Sequence, residues 1–278
     1  MRPLRFAFAK ANNYNRQAAM KPKKIVYYND PLNDDFAGNN IKDIPFPQKL
    51  KYRHPKNPIW WFFSELFYHF LAVPILWLVG KLGYGVKVIG KKNVRAFWRR
   101  GVFFYGNHTQ IIGDALMPAF MVSPRYINVI VHPNNINIPG IGKYVPLLGG
   151  LPLPGNQKAR QNFNAAIATR VSAHQPIFIY PEAHIWPFYT GIRPFVSDSF
   201  SYPVYYGAPV FCFTNTYHKR KNGKVRIRTY IDGPFFPDPE SSPKDAREQL
   251  RNEVYNTMCE RAGFSTYQKI AYIKKTDD

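Results

Sequence analysis

Cysteine is scarce in this chain: Cys212 and Cys259 are the only two in 278 residues. Two thiols cannot form a disulfide framework, so the fold must rest on a hydrophobic core, which a chain of this length can build. A reducing compartment is the simpler setting. Acidic side chains are scarce as well. Seventeen Asp and Glu stand against 38 Lys and Arg, a formal charge of +21. That excess points to an anionic partner: nucleic acid, lipid headgroups or a phosphorylated substrate. No heptad is sustained and the glycines lack a period, which excludes coiled-coil and collagen-like folds. A secretory leader is not expected from the opening residues either, because Lys10 cuts their apolar stretch short of the ~7–15 residues required. Hydrophobic residues at 45% and aromatics at 17% exclude disorder as the general state.

Three regions follow from composition. Residues 1–58 carry 12 Lys/Arg against four Asp/Glu and no long apolar run. They read as a basic N-terminal arm, either a loose tail or an arm on a membrane surface. Residues 59–80 contain the most apolar stretch, Ile59 to Val79, long enough as a helix to cross a hydrocarbon core. Ser64, Glu65, Tyr68 and His69 cut a polar notch into one face, and Pro74 should kink the helix or split it into a pair. Cations flank both ends, so no positive-inside asymmetry sets an orientation. A helix or helix pair dipping into one leaflet accounts for all three features, with a through-going span and a buried soluble helix as the alternatives.

Residues 81–278 alternate strand and helix patterns. Strands are expected at Val86–Gly90, Val102–Gly106, Tyr126–His132, Pro176–Tyr180, Pro209–Asn215 and Val225–Asp232, the last as an edge or half-exposed strand. Helices are expected at Ala115–Val122, Ala159–Ala173 and Lys244–Ala262, with Leu250, Val254 and Met258 four apart. The pattern predicts an α/β fold, a central mostly parallel sheet flanked by helices, preceded by the membrane-associated segment.

His108 is placed where such a sheet puts its chemistry, after a strand and before a helix. Asp114 follows six residues later, and a carboxylate on one imidazole nitrogen would leave the other free as a base. A helix cap at Asn107 or His108 and a solvated Asp114 would satisfy the same spacing. Tyr180-Pro181-Glu182 follows the most apolar strand and puts a carboxylate at the rim of the same sheet, or in a surface turn. Asn137 to Gly155 is loop-rich yet hydrophobic, suited to lining an acyl chain, lying on a membrane, or packing as a connection. His108, Asp114, Glu182 and His184 lack a metal-ligand spacing.

Four blocks together resemble the glycerolipid acyltransferase superfamily, which includes bacterial lysophosphatidic acid acyltransferases. They are Asn107-His108 with Asp114, Ile138 to Gly142 through Gly149-Gly150, Tyr180-Pro181-Glu182, and Ala208 to Phe211. The resemblance covers about residues 80 to 235. It implies that His108 is the general base, that Asp114 orients it, and that Asn107 and Glu182 bind substrate. The implied donor is acyl-CoA or acyl carrier protein, a co-substrate with no further cofactor. The implied acceptor is a lysophospholipid such as 1-acylglycerol-3-phosphate, met at the cytoplasmic face of a cell membrane with anionic headgroups.

Departures accompany the likeness. Five residues separate His108 from Asp114 where the family has four, which on a regular helix would turn Asp114 by ~100°. The usual arginines of the second and third blocks are absent. Arg193 and then Lys143 are the expected substitutes for binding an anion. A catalytically impaired lipid-binding relative is the alternative reading. Nucleic-acid binding lacks any accompanying motif, and the apolar segment favours lipid.

Overall fold

The computed structural model describes residues 22–37, 58–111, 113–138, 140 and 142–276. Strand β1 spans Lys24–Tyr28. Helix α1 runs from Pro58–Phe67 through a π-helical stretch at Tyr68–Ala72, on through Val73–Leu78, and ends in a second π stretch at Val79–Gly83. There follow β2 (Lys87–Ile89), α2 (Lys91–Arg95), β3 (Val102–Gly106), α3 (Gly113–Val122), β4 (Asn128–Val131) and β5 (Gly150–Pro152). The chain continues through α4 (Gln157–Ser172), β6 (Pro176–Ile179), α5 (Ser201–Tyr206), β7 (Val210–Lys219), β8 (Val225–Phe235), α6 (Pro243–Ala262) and β9 (Ile270–Lys274). Seven strands form the main sheet in the order β2-β8-β7-β3-β6-β4-β5, and only β7 and β8 pair antiparallel.

The strand residues explain this arrangement. β3 (VFFYG) and β6 (PIFI) are buried throughout, as central parallel strands covered on both faces must be. Period-two alternation sends Phe103 and Tyr105 to one side, where Phe163 and Ile167 of α4 and Leu250, Val254 and Met258 of α6 pack. Val102 and Phe104 face the other side, with Met121 and Val122 of α3 and Tyr68 of α1. Each buried side chain of this size contributes roughly 1.5–3 kcal/mol over its exposed state. α4 starts where the Asn156 side chain accepts from the Ala159 N–H, and α6 starts at Ser242 with Pro243 in its first turn. β8 is half-exposed as its alternation predicts, but it is not an edge, because β2 pairs along its outer side.

α1 bears on two points that the sequence reading left open. It stays one helix through Pro74 rather than a pair. The π stretch that precedes Pro74 widens the turn where the proline lacks an N–H and its ring meets the preceding carbonyl. The polar notch also faces protein. Ser64 is buried, donates to the Leu147 carbonyl (2.8 Å) and bonds the Tyr126 hydroxyl (3.0 Å), while Tyr68 packs on Tyr126. Glu65 and His69 pair at 2.8 Å. Most of the rest of α1 is exposed: Trp61–Gly83 is long and apolar enough to cross a membrane, and 11% of its most apolar window is buried. Burial that low among the described residues is unlike that of a core helix.

Residues 22–37, inside the segment read as an arm, dock on the α/β unit. β1 pairs in parallel with β9 in a separate two-stranded sheet. Phe36 and Tyr28 pack on Trp186, whose indole N–H donates to the Asp34 carbonyl at 2.7 Å.

α1 is seated on α3 at Gly80, where a Cβ would lie 2.3 Å from the Phe120 ring, whereas a Cβ on Gly83 would meet nothing within 4 Å. Gly80→Ala is therefore expected to lower stability in detergent by roughly 1–3 kcal/mol through overpacking. Gly83→Ala should raise it by up to about 1 kcal/mol through helix propensity. Thermal unfolding of the two variants checks the contrast.

Candidate active site

β3 ends at Gly106 against β7, where a Cβ would lie 2.0 Å from the Phe213 ring, so only glycine lets the two strands close up here. The next residue extends the pairing with its side chain. Asn107 Nδ2 donates to the Asn215 carbonyl (3.1 Å), and Asn215 N–H donates back to Asn107 Oδ1 (2.8 Å). Asn107 is fully buried by this exchange. The structure thus assigns it to holding the loop, in place of the substrate contact expected from sequence.

His108 lies in the loop ahead of α3, and Asp114 sits in the first turn of that helix. Because His108 is outside the helix, the fifth intervening residue does not carry Asp114 away from it. His108 Nδ1 and Asp114 Oδ2 are 2.8 Å apart, and the same oxygen accepts the Gln110 N–H at 2.8 Å. An oxygen that already accepts one N–H is set to accept another, which makes Nδ1 the protonated nitrogen. Nε2 then carries the lone pair, and it has no hydrogen-bond partner among the described residues. The imidazole keeps 18% of its surface exposed, while Asp114 is buried. Burial pushes the Asp114 carboxyl above its ordinary range, opposed by its bonds to His108 and to the loop amides.

Glu182 closes the loop from the far side. Its Oε2 accepts the His108 N–H (2.9 Å) and its Oε1 accepts the Arg193 N–H (2.9 Å). Both oxygens are spent on backbone and the side chain is wholly buried, so Glu182 does not reach an acceptor hydroxyl as expected. Burial raises its carboxyl, against the nearby Arg193 charge and the two amides. Arg193 is likewise not an anion site facing the cleft. It is 1% exposed, its guanidinium lies over the Trp186 ring (5.0 Å), and it donates to the carbonyls of Glu182, His184 and Pro31. The Glu182 carboxylate, 3.7 Å away, supplies its counter-charge. The side chain of Lys143 lies outside the described residues.

Tyr180, named from sequence only as part of its block, and several residues not singled out there complete the site. The Tyr180 ring stacks on the His108 ring (centroids 4.6 Å apart, 20° between planes), and its hydroxyl donates to the Asp114 carbonyl. Trp186 N–H donates to the His108 carbonyl (3.1 Å), Phe188 N–H to the Thr109 carbonyl (2.8 Å), and the Tyr217 hydroxyl to Thr109 Oγ1 (2.7 Å). The 107–110 backbone is therefore held from β7, from Glu182 and from the 186–188 turn. That turn is in turn clamped by residues 34–36 and by Tyr272 of β9, whose hydroxyl donates to the Pro187 carbonyl (3.0 Å). A run such as Ile185-Trp186-Pro187-Phe188 looks like ordinary core in sequence, and only the preceding block Tyr180-Pro181-Glu182 signalled that the segment mattered.

The hydrophobic loop after β4 forms short 3₁₀ turns at Pro133–Asn137 and Gly142–Tyr144, then β5 at the sheet edge. Its Tyr144 ring stacks on Phe67 of α1 (6.0 Å). No protein-family model matches the chain, and no curated protein matches it. Among solved structures, the crystal structure of the 1-acyl-sn-glycerophosphate (LPA) acyltransferase PlsC from Thermotoga maritima is similar. It shares 17% sequence identity at a TM-score of 0.49, covering 72% of this chain and 92% of that one.

The buried Glu182–Arg193 pair generates a stability test. Removing either charge alone strands its partner, so Glu182→Gln and Arg193→Met should each cost about 3–5 kcal/mol. The double variant should lose clearly less than the sum. Denaturant unfolding of all three checks this, and an Arg193→Met protein of unchanged stability would contradict the buried pairing.

Proposed function

We propose that this chain is a membrane-associated O-acyltransferase, moving a fatty acyl group from an acyl-CoA or acyl carrier protein thioester to a hydroxyl of a lysophospholipid. The observation that carries the reading is the His108–Asp114 pair, with Nδ1 held by a buried carboxylate and Nε2 open at the end of a central strand. The likeness of the four sequence blocks to glycerolipid acyltransferases supplies the reaction class.

The chemistry follows from that geometry. His108 Nε2 takes the proton of the acceptor hydroxyl as the oxygen attacks the thioester carbonyl. Asp114 stabilises the imidazolium that forms and keeps the ring from turning. The tetrahedral intermediate then expels the thiolate, which recovers the proton from Nε2, so the imidazole ends neutral. Tyr180, stacked on the ring, restricts the remaining rotation. Base catalysis of this kind contributes ~10²–10⁴-fold.

The extra residue between His108 and Asp114, which suggested a disabled site, is taken up by the loop, so no observation favours the non-catalytic alternative. Arg193 is committed to Glu182 and to carbonyls, and it gives no argument for an acceptor phosphate beside His108. The acceptor class accordingly rests on the sequence blocks, with 1-acylglycerol-3-phosphate the first to test. The bare apolar face of α1 supports residence on a membrane, and a cytoplasmic thioester donor would put the site on that side of the cell membrane.

Purified full-length protein supplied with acyl-CoA and 1-acylglycerol-3-phosphate should release CoA. His108→Ala should fold normally and lose ~10²–10⁴-fold in kcat. Asp114→Asn should lose less, in kcat rather than KM, because it keeps the shape but not the charge. A folded His108→Ala protein with unchanged turnover would refute the assignment.

A further inference from the structure

Away from His108, at the other end of α3, elements α1, β2 and α2 border a half-open cavity of about 440 Å³, within the size range of small-ligand sites. Asp114 and Ser123, which lie at opposite ends of that helix, are about 13 Å apart along its axis. Lys81 of α1, Lys87 of β2 and Lys91 of α2 line the cavity, together with Val73 and Trp77 of α1 and Phe120 of α3.

Among the described residues, none of the three lysines has a carboxylate within ion-pair distance. Lys81 is fixed by donating to the Val86 carbonyl at 3.1 Å. Lys91 is half-buried, and its burial, together with the neighbouring Lys81 and Arg95 charges, holds its ammonium below the ordinary lysine range. Like charges gathered in a concave site without a counter-ion are a cost to the folded protein that a bound anion relieves. The neighbouring charges of Lys91 and Lys81, with Lys87 also on the lining, suit the oxygens of a phosphate, which ammonium groups meet as point charges. The hydrocarbon wall is made by Val73 and Trp77 of α1 and Phe120 of α3, and Trp77 is more than half exposed. A ligand satisfying both walls carries a phosphate at one end and an acyl chain at the other.

We propose that this cavity binds the phosphate headgroup of an anionic membrane lipid whose chain lies along α1, at a site separate from the His108 pair. The proposal shares with the reading above only the residence of α1 in a bilayer, and its test does not involve acyl transfer.

The test is co-flotation of full-length protein with phosphatidylcholine vesicles and with phosphatidylcholine vesicles containing phosphatidic acid, at physiological ionic strength. Wild type should favour the second. The triple variant Lys81→Gln/Lys87→Gln/Lys91→Gln should lose on the order of a hundredfold of that preference while still binding phosphatidylcholine through α1. A control of equal charge loss outside the cavity, Lys221→Gln/Lys224→Gln/Lys244→Gln, should lose only a few-fold. His108→Ala should bind as wild type does, even if acyl transfer is never detected. Equal loss in the two triple variants would overturn the proposal in favour of diffuse surface charge, and no loss in the cavity variant would overturn it outright. Displacement from phosphatidic acid vesicles by millimolar glycerol 3-phosphate would replace the lipid with a soluble phosphate ester. Should the triple variant fail to fold by circular dichroism, Lys91→Gln alone carries the same comparison.

Discussion

One buried carboxylate, Glu182, decides the shape of the candidate site. It receives the backbone N–H of His108 on one oxygen and that of Arg193 on the other, and so joins the loop after β3 to the loop after β6. A carboxylate taken out of water is expensive unless its lone pairs are filled, and here backbone amides and a guanidinium fill them. With the His108 backbone pinned, the ring has one well-supported orientation, Nδ1 toward Asp114 and face against Tyr180. Asn107 secures the same loop to β7, and Trp186 secures it to the strap of residues 34–36. These groups touch no substrate in this account. They hold an imidazole in place, and catalysis by a positioned base depends on that.

The apolar helix and the site are mechanically joined. The notch residue Ser64 bonds Tyr126 and the Leu147 carbonyl, and Gly80 rests on Phe120 of α3, the helix that carries Asp114. At its far end the Arg220 guanidinium donates to the carbonyls of Leu82 and Gly83, which have no partner within the helix. A helix fastened at these places and largely exposed elsewhere would, on a membrane as proposed, set the depth at which the sheet edge meets the hydrocarbon layer. The polar residues that look misplaced in an apolar stretch are thus its attachment to the rest of the molecule.

Much of this was legible in the sequence. The fully apolar strands β3 and β6 and the four-residue spacing of Leu250, Val254 and Met258 follow from periodicity, while the pairing of His108 with Asp114 was implied by the family resemblance, spacing alone leaving it open. The fate of individual polar side chains was not. Arg193 and Asn107 have the chemistry of ligand-binding groups, and one sequence cannot show that backbone carbonyls distant in the chain have already claimed them. The strap was hidden for a related reason. Residues 22–37 lie in a basic, proline-containing region without strong periodicity, and β1 forms only because β9, more than 200 residues later, offers an edge in parallel register. Such long-range pairing leaves almost no local signal.

The central claim is that Asp114 fixes the tautomer of His108 so that Nε2 is the base. Nitrogen-15 NMR of histidine-labelled protein reports this directly, with the His108 signals assigned by their loss in His108→Gln. In the neutral state the account requires a protonated Nδ1 and a bare Nε2, with that preference weakened in Asp114→Asn. A neutral His108 protonated at Nε2, or a tautomer indifferent to Asp114, would contradict it.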